Sequence, residues 1–347
     1  MTYQEENPQT PEIKPEPLPR LHLPQSFLDA VIKETLAHPQ TETGGYIFGL
    51  RYRTPTGGYL LAPLGSFTPA HAQDIFREGG FLRLAGQGAA DFDTWLLGHW
   101  PYILKDFLSR YDKPDHPISG LKPEFLGCWH RHPGNYIQYS QEDDSTIQKN
   151  LRKSMPDYLF PIIIIRPPKP FLGNLAPPIN PDVLRLTPNP NTALDMVFYY
   201  RRKNQRSFTH YVLPPHIHPS NEFPDFVSAP WYIQAPHLLE AELAALEKIG
   251  AEVPPQPFIP KGKTKIEIWF RLTHPDLPQT VYFHTPVNFD KSRVIDIRFD
   301  NPRQTPDGKA LTLTLPRNTG TRIADIVSPV ISYIKFTTNG TQPVLKP

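Results

Sequence analysis

Residues 127–147 read GCWHRHPGNYIQYSQEDDSTI. One residue separates His130 from His132, seven stand between His132 and Ser140, and two between Ser140 and Asp143. On a strand, residues i and i+2 point to the same face. His130 and His132 are therefore expected to present their imidazoles side by side. Pro133 and Gly134 end that strand and let the chain return. Ser140 then starts a helix and puts Asp143 in its first turn, where a carboxylate can face back toward the histidines. A catalytic zinc takes three such protein ligands, keeps a position open for water, and sits ~2.0 Å from each nitrogen. Metal held this way lowers the pKa of its water to ~7 and polarises a carbonyl. A further carboxylate, from elsewhere in the chain, is then needed to take the proton.

The same residues also suit a plain structural role. Ser-x-x-Asp is an ordinary helix start, with the serine capping and the acid favoured by the helix dipole. A second His-x-His pair, His216 and His218, lies in LPPHIHPSNEF between prolines, with no acid at the matching distance. It is expected to be a loop. The full spacing through Ser140 and Asp143 is much rarer than the pair alone.

Composition narrows the choices. The chain has 347 residues, 39% of them hydrophobic, enough for one large domain or two smaller ones. Its 44 prolines predict short elements joined by stiff connections. The net charge of +2 gives no ground for nucleic-acid or membrane binding. Cys128 is the single cysteine, which excludes an intrachain disulfide and a four-cysteine zinc site. The polar, proline-rich start does not read as a signal peptide, and no apolar run approaches the ~20 residues of a membrane helix. A reducing, cytoplasmic setting is expected.

Periodicity predicts an α+β chain. Residues 1–19 read as a disordered tail. A helix follows from Ser26, the expected N-cap, to Pro39. GGYIFGLRYR and GYLLAPLGSF pair as strands around Gly57-Gly58. The region 68–120 is harder to read, apart from a helix through Trp95, Trp100 and Phe107. Then come a strand ending in His130-x-His132, a helix from Ser140, and a buried strand, LFPIIIIR. ALDMVFYYRR and SFTHYVL form a further hairpin. PHLLEAELAALEKIG is a helix that ends at Gly250. The expected division is a main domain over 20–250, a proline-rich linker over 251–261, and a β-rich module over 262–347 that ends in a helix.

At this point the residues resemble a known family. His130, His132, Ser140 and Asp143 carry the complete signature of JAMM metalloproteases, which have the JAB/MPN fold. The stretch TETGGYIFG supplies the upstream glutamate of that pattern, Glu42, and together with WHRHPG it is similar to the bacterial members. The resemblance spans about residues 20–213. Tyr139 stands where the family commonly has proline, and the long gap from Glu42 to His130 implies an insertion within 68–120. The resemblance implies that His130, His132 and Asp143 hold Zn²⁺, that Glu42 carries the proton of the zinc water to the leaving amine, and that Ser140 donates to the oxyanion. It implies substrates in which a ubiquitin-like protein is joined through its C-terminal glycine to lysine. It also implies operon partners that are E1-like and E2-like, some with antiphage roles. Two alternatives within the same fold are a peptidase that trims a modifier or sulfur-carrier precursor and a non-catalytic scaffold.

Neighbouring residues have simpler expected roles. Cys128 shares the histidines' strand face and reads as a small buried residue. Asp144 reads as solvent-facing and Trp129 as core. Arg131 is expected either to touch substrate or to be solvated. The run FRLTHPDLPQTVYFHTP resembles, faintly, ubiquitin-conjugating or RWD-like folds, but without a cysteine it carries no thioester. The module over 262–347 is read as a binding or positioning unit.

Overall fold

The apolar run Leu159–Ile165 shows no alternation, the pattern of a strand covered on both faces. It belongs to β7 (Asp157–Arg166), which is inside a mixed nine-stranded sheet. The computed structural model describes residues 17–54, 58–69, 75–78, 81–84, 86–111, 116–134, 136–153, 155–166, 182–203, 205, 210–219, 222–224, 230–254, 268–277, 280–285, 294–299, 312–316 and 321–338. The expected tail up to residue 16 and the linker from 255 lie outside these residues.

The other strands of the large sheet are β1 (Arg20–Pro24), β2 (Thr43–Arg53), β3 (Tyr59–Phe67), β6 (Glu124–Arg131), β8 (Val183–Asn189), β9 (Thr192–Arg202), β10 (Tyr211–Val212) and β11 (Pro215–His218). Their order is β10-β9-β7-β6-β2-β3-β1-β11, with β8 also on β9. The pair that matters most is antiparallel β2 and β6, which sets Thr43 opposite Arg131 and Gly44 opposite His130. A small hairpin, β4 (Ile75–Glu78) with β5 (Phe81–Leu84), stands apart from the sheet in pairing.

Alternation along β2 divides the core. Ile47 joins Phe27, Leu28 and Val31 of helix α1 (Gln25–Ala37) on one face. Tyr46, Phe48 and Leu50 meet Phe92, Trp95 and Phe107 of helix α2 (Gly86–Tyr111) on the other. On that second face, Ile147 and Leu151 of helix α3 (Gln141–Lys153) pack on Tyr158, Phe160 and Ile162. Both helical stripes follow the spacing of an amphipathic helix. Helix α1 begins one residue before Ser26, after Pro24, and no side chain caps it. A proline with φ near −62° leads the chain into the helix instead.

The second His-x-His pair is not a loop. Pro215–His218 is an edge strand, parallel to β1, and His22 faces His216 across it. Prolines are tolerated there because an edge strand has one side free of the ladder.

A smaller antiparallel sheet runs β12 (Ile268–Leu272), β13 (Val281–Thr285), β14 (Val294–Phe299), β15 (Thr312–Pro316) in sequential order. Its core contains Phe270 and Phe283 with Ile323 and Val327 of helix α6 (Ile323–Thr338). Trp231 of helix α4 (Trp231–Gln234) and Leu246 of helix α5 (Pro236–Lys248) share this core. Helix α5 thus packs with the smaller sheet, although its sequence position groups it with the larger one. Among the described residues, no helix is long and apolar enough to cross a membrane.

One backbone irregularity aims the key strand. The β2–β6 register shifts between Ile47 and Phe48, so the pairing skips Leu126. Phe125, Cys128 and His130 then share a face that strict alternation would split. Gly127 carries φ 152°, and a Cβ there would lie 1.9 Å from the Leu159 carbonyl oxygen. Gly127→Ala is expected to lower the unfolding free energy by about 2–4 kcal/mol, from backbone strain and overpacking together. Urea denaturation measures it, and a loss under about 0.5 kcal/mol would show that the close approach is not a constraint.

Candidate metal centre

The site is assembled from three separate pieces of chain. Glu42 sits just before β2, His130 near the end of β6, His132 one residue beyond that strand, and Asp143 in the first turn of α3. Pairing of β2 with β6 brings the first two together. The return through Pro133 to Tyr139 brings the third.

Each piece is fixed locally. Thr43 is fully buried, and its hydroxyl donates to Glu34 Oε1 at 2.7 Å. Arg77 of the small hairpin donates to both, to Thr43 Oγ1 at 3.0 Å and to Glu34 Oε1 at 2.8 Å. The hairpin therefore braces the start of β2. At the helix, Ser140 N–H donates to Asp143 Oδ2 at 2.7 Å and Asp143 N–H donates to Ser140 Oγ at 3.2 Å. This reciprocal cap orients the Asp143 carboxylate, and it leaves the serine's own proton to donate.

The donor atoms converge. His130 Nε2 lies 2.6 Å from His132 Nε2. It is 3.6 Å from Glu42 Oε1 and 3.5 Å from Asp143 Oδ1. His132 Nε2 is 3.7 Å from Asp143 Oδ2. His132 Nδ1 donates to the Tyr136 carbonyl at 2.6 Å. A carbonyl only accepts, so Nδ1 carries a proton, and in the neutral ring Nε2 is the free lone pair. The ligand atoms of Glu42, His130 and His132 lie within 4.8 Å of one another, a group able to hold a metal ion. Tetrahedral ligands ~2.0 Å from a metal stand about 3.3 Å apart. The nitrogen–carboxylate distances are close to that. The two imidazoles would need to part by less than about 1 Å. Two nitrogens and two carboxylates suit zinc-like divalent ions better than calcium or magnesium, which prefer oxygen alone.

Electrostatics separates the groups. Burial lowers His130 to about 4, against the pull of Asp143, so the ring is neutral near pH 7. Burial raises Glu42 to about 7, with His132 and Arg131 acting in the opposite direction and Asp143 adding to the rise. Burial also pushes Asp143 up, but the His132 imidazole 3.7 Å away, the nearby His130 ring and the bonds to Ser140 outweigh it and hold the carboxyl at about 2. Of the two carboxyls in the site, one is thus raised and the other lowered.

Three neighbours differ from the sequence expectation or refine it. Asp144 is buried, not solvent-facing: it is 2% exposed. Arg201 Nη1 donates to its Oδ1 at 2.5 Å, and Gln148 Nε2 to its Oδ2 at 2.6 Å. The helix turns this residue toward β9, where a cation awaits it. Arg131 is 3% exposed, so it is not solvated, and it bonds backbone carbonyls. Half-buried Cys128 lines the cleft beside His130, and desolvation pushes its thiol up to about 12, so the free thiol is neutral at pH 7. Trp129 is fully buried, as expected. Beside the second His-x-His pair, the ring of His22 on the neighbouring strand stacks on His218 at 4.2 Å and 15°.

A cleft of about 650 Å³ opens from Glu42, His130 and Asp143 across the sheet face. Strand β5 contributes Leu82 and Leu84 to it, and α3 contributes Thr146 and Asn150. The hairpin lies in the region 68–120 that is hard to read from sequence, and among the described residues its two short strands pair with each other.

No family model and no curated protein matches the chain. Among solved structures, it is similar to the solution structure of a protein from Desulfitobacterium hafniense, at 10% identity and a TM-score of 0.31, over 58% of this chain and 94% of that one. That likeness is too slight to bear on the fold or the site.

The buried Asp144–Arg201 pair gives a direct test of how α3 is held. Arg201→Met strands a carboxylate and should cost about 3–5 kcal/mol in chemical denaturation. Adding Asp144→Leu should recover much of that loss. A single-variant loss under about 1 kcal/mol would mean that the pair does not anchor the helix.

Proposed function

We propose that the chain is a zinc metalloprotease of the JAMM type, with the JAB/MPN fold, and that it cleaves a ubiquitin-like modifier after its C-terminal tail. The observation that carries this reading is the meeting of His130, His132, Asp143 and Glu42 from distant segments, with the two carboxyls poised apart. Asp143, held ionised, is the better metal ligand. Glu42, near 7, is the better proton carrier, because a general base works best with a pKa close to the operating pH. His130, His132 and Asp143 would therefore hold the zinc. Bound there, zinc supplies a Lewis acid that polarises the scissile carbonyl and lowers the pKa of water to about 7. Glu42 takes the proton of the attacking water and returns it to the leaving amine. Ser140 donates its hydroxyl proton to the oxygen on which charge develops.

The cleft supports a peptide-tail substrate. Its volume of about 650 Å³ is in the range of a ligand cleft, and it runs directly into the site. An extended tail fits such a groove better than a folded domain does. In this reading the modifier's globular part stays outside, and the smaller sheet with its helices serves to dock or position a partner. E1-like and E2-like proteins of a bacterial conjugation system are the expected company.

The zinc-loaded full chain should cleave modifier fusions after the terminal glycine, tested with peptide-linked and lysine-linked extensions. Glu42→Gln should retain zinc and lose about 100-fold or more in kcat. Cleavage that survives this substitution would remove Glu42 as the proton carrier. Failure of the wild type on every fusion would remove the isopeptidase reading.

A further inference from the structure

The residue between the two histidines has a role of its own. Arg131 is the last residue of β6, and its side chain leaves the strand on the face opposite the imidazoles. It is 3% exposed, although arginine is almost never buried without partners. Its partners are carbonyls. Nη1 donates to Thr41 O at 2.5 Å and Nη2 to Pro39 O at 2.8 Å. Longer contacts reach His38 O at 3.5 Å and Pro133 O at 3.4 Å.

These carbonyls share a location. Residues 38 to 42 carry the chain from the end of α1 to the start of β2. The Thr41 carbonyl belongs to the peptide that enters Glu42. The residue after Glu42, Thr43, faces Arg131 itself in the strand pairing. Glu42 is thus held on one side by the Arg131 side chain and on the other through strand pairing with the Arg131 backbone. Because Arg131 stands between His130 and His132, it ties the carboxylate's segment to the imidazoles' segment with one rigid group.

We infer that Arg131 is a positioning residue, whose guanidinium sets the place of Glu42 relative to the paired imidazoles. The planar fork reaches the Thr41 and Pro39 carbonyls with two nitrogens in a fixed geometry; a lysine ammonium keeps the charge but offers a single nitrogen in their place. The catalytic consequence rests on the reading of Glu42 as the proton carrier, but the structural claim does not.

The test uses the full chain and three variants: Arg131→Lys, Pro39→Gly, and both together. Pro39 is exposed, so its replacement loosens the same loop without opening the core. Arg131→Lys should keep its zinc and its KM and lose about 10- to 100-fold in kcat, the scale of a displaced catalytic group. Amide hydrogen exchange over residues 41 to 43 should quicken, while exchange over 126 to 130 stays as in the wild type. Pro39→Gly should move both readouts the same way by less, and the double variant should fall short of the product of the two, because both act on one loop. An unchanged kcat, a rise in KM alone, or faster exchange across the whole sheet would overturn the inference. If the wild type cleaves no fusion, the proposed reaction fails, and the exchange comparison still decides whether Arg131 holds the loop.

Discussion

Two imidazole nitrogens held 2.6 Å apart in a largely buried pocket, with two carboxylates within 4 Å of them, are costly to assemble. Polar groups taken out of water must be satisfied by partners, or the fold pays several kcal/mol for each. Much of the architecture around this site does that work. The strand pair β2–β6 supplies the spacing. The cap at Ser140 supplies bonds to Asp143. The Tyr136 carbonyl fixes the tautomer of His132. Behind these stand Arg131, Arg77 and the Asp144–Arg201 pair, each of which anchors a segment that carries one functional group.

The same burial that makes the cluster costly also sorts its chemistry. Glu42 and Asp143 sit in one pocket, yet one is near 7 and the other near 2. The difference comes from partners: Asp143 has two imidazoles and a helix start to hold its charge, and Glu42 has chiefly desolvation. In the proposed reaction that asymmetry would divide the roles of ligand and base. The same burial drives the Cys128 thiol up and keeps His130 neutral.

Local features of the sequence exposed part of this. The histidine strand and the capped helix carry their signals within a few residues, through alternation and Ser-x-x-Asp, whereas Glu42 is singled out only by the family resemblance. The long stripe of α2 was equally plain. What stayed hidden depended on distant partners. Asp144 looks like any exposed acid until Arg201, 57 residues away, is beside it. Arg131 could not be placed because its acceptors are backbone carbonyls, which every residue has. Strands β1 and β11 are short, hold prolines and pair in parallel across most of the larger sheet's sequence, so neither alternation nor turn chemistry marks them. Helix α5 was legible as a helix, but not the sheet on which it packs.

X-ray absorption at the zinc edge, on the full chain loaded with stoichiometric zinc, tests the metal centre most directly. The expected spectrum has nitrogen and oxygen neighbours at about 2.0 Å, including the multiple-scattering pattern of two imidazoles, and no sulfur. A sulfur neighbour at about 2.3 Å, a single imidazole, or failure to retain zinc through desalting would contradict a site built from His130, His132 and Asp143.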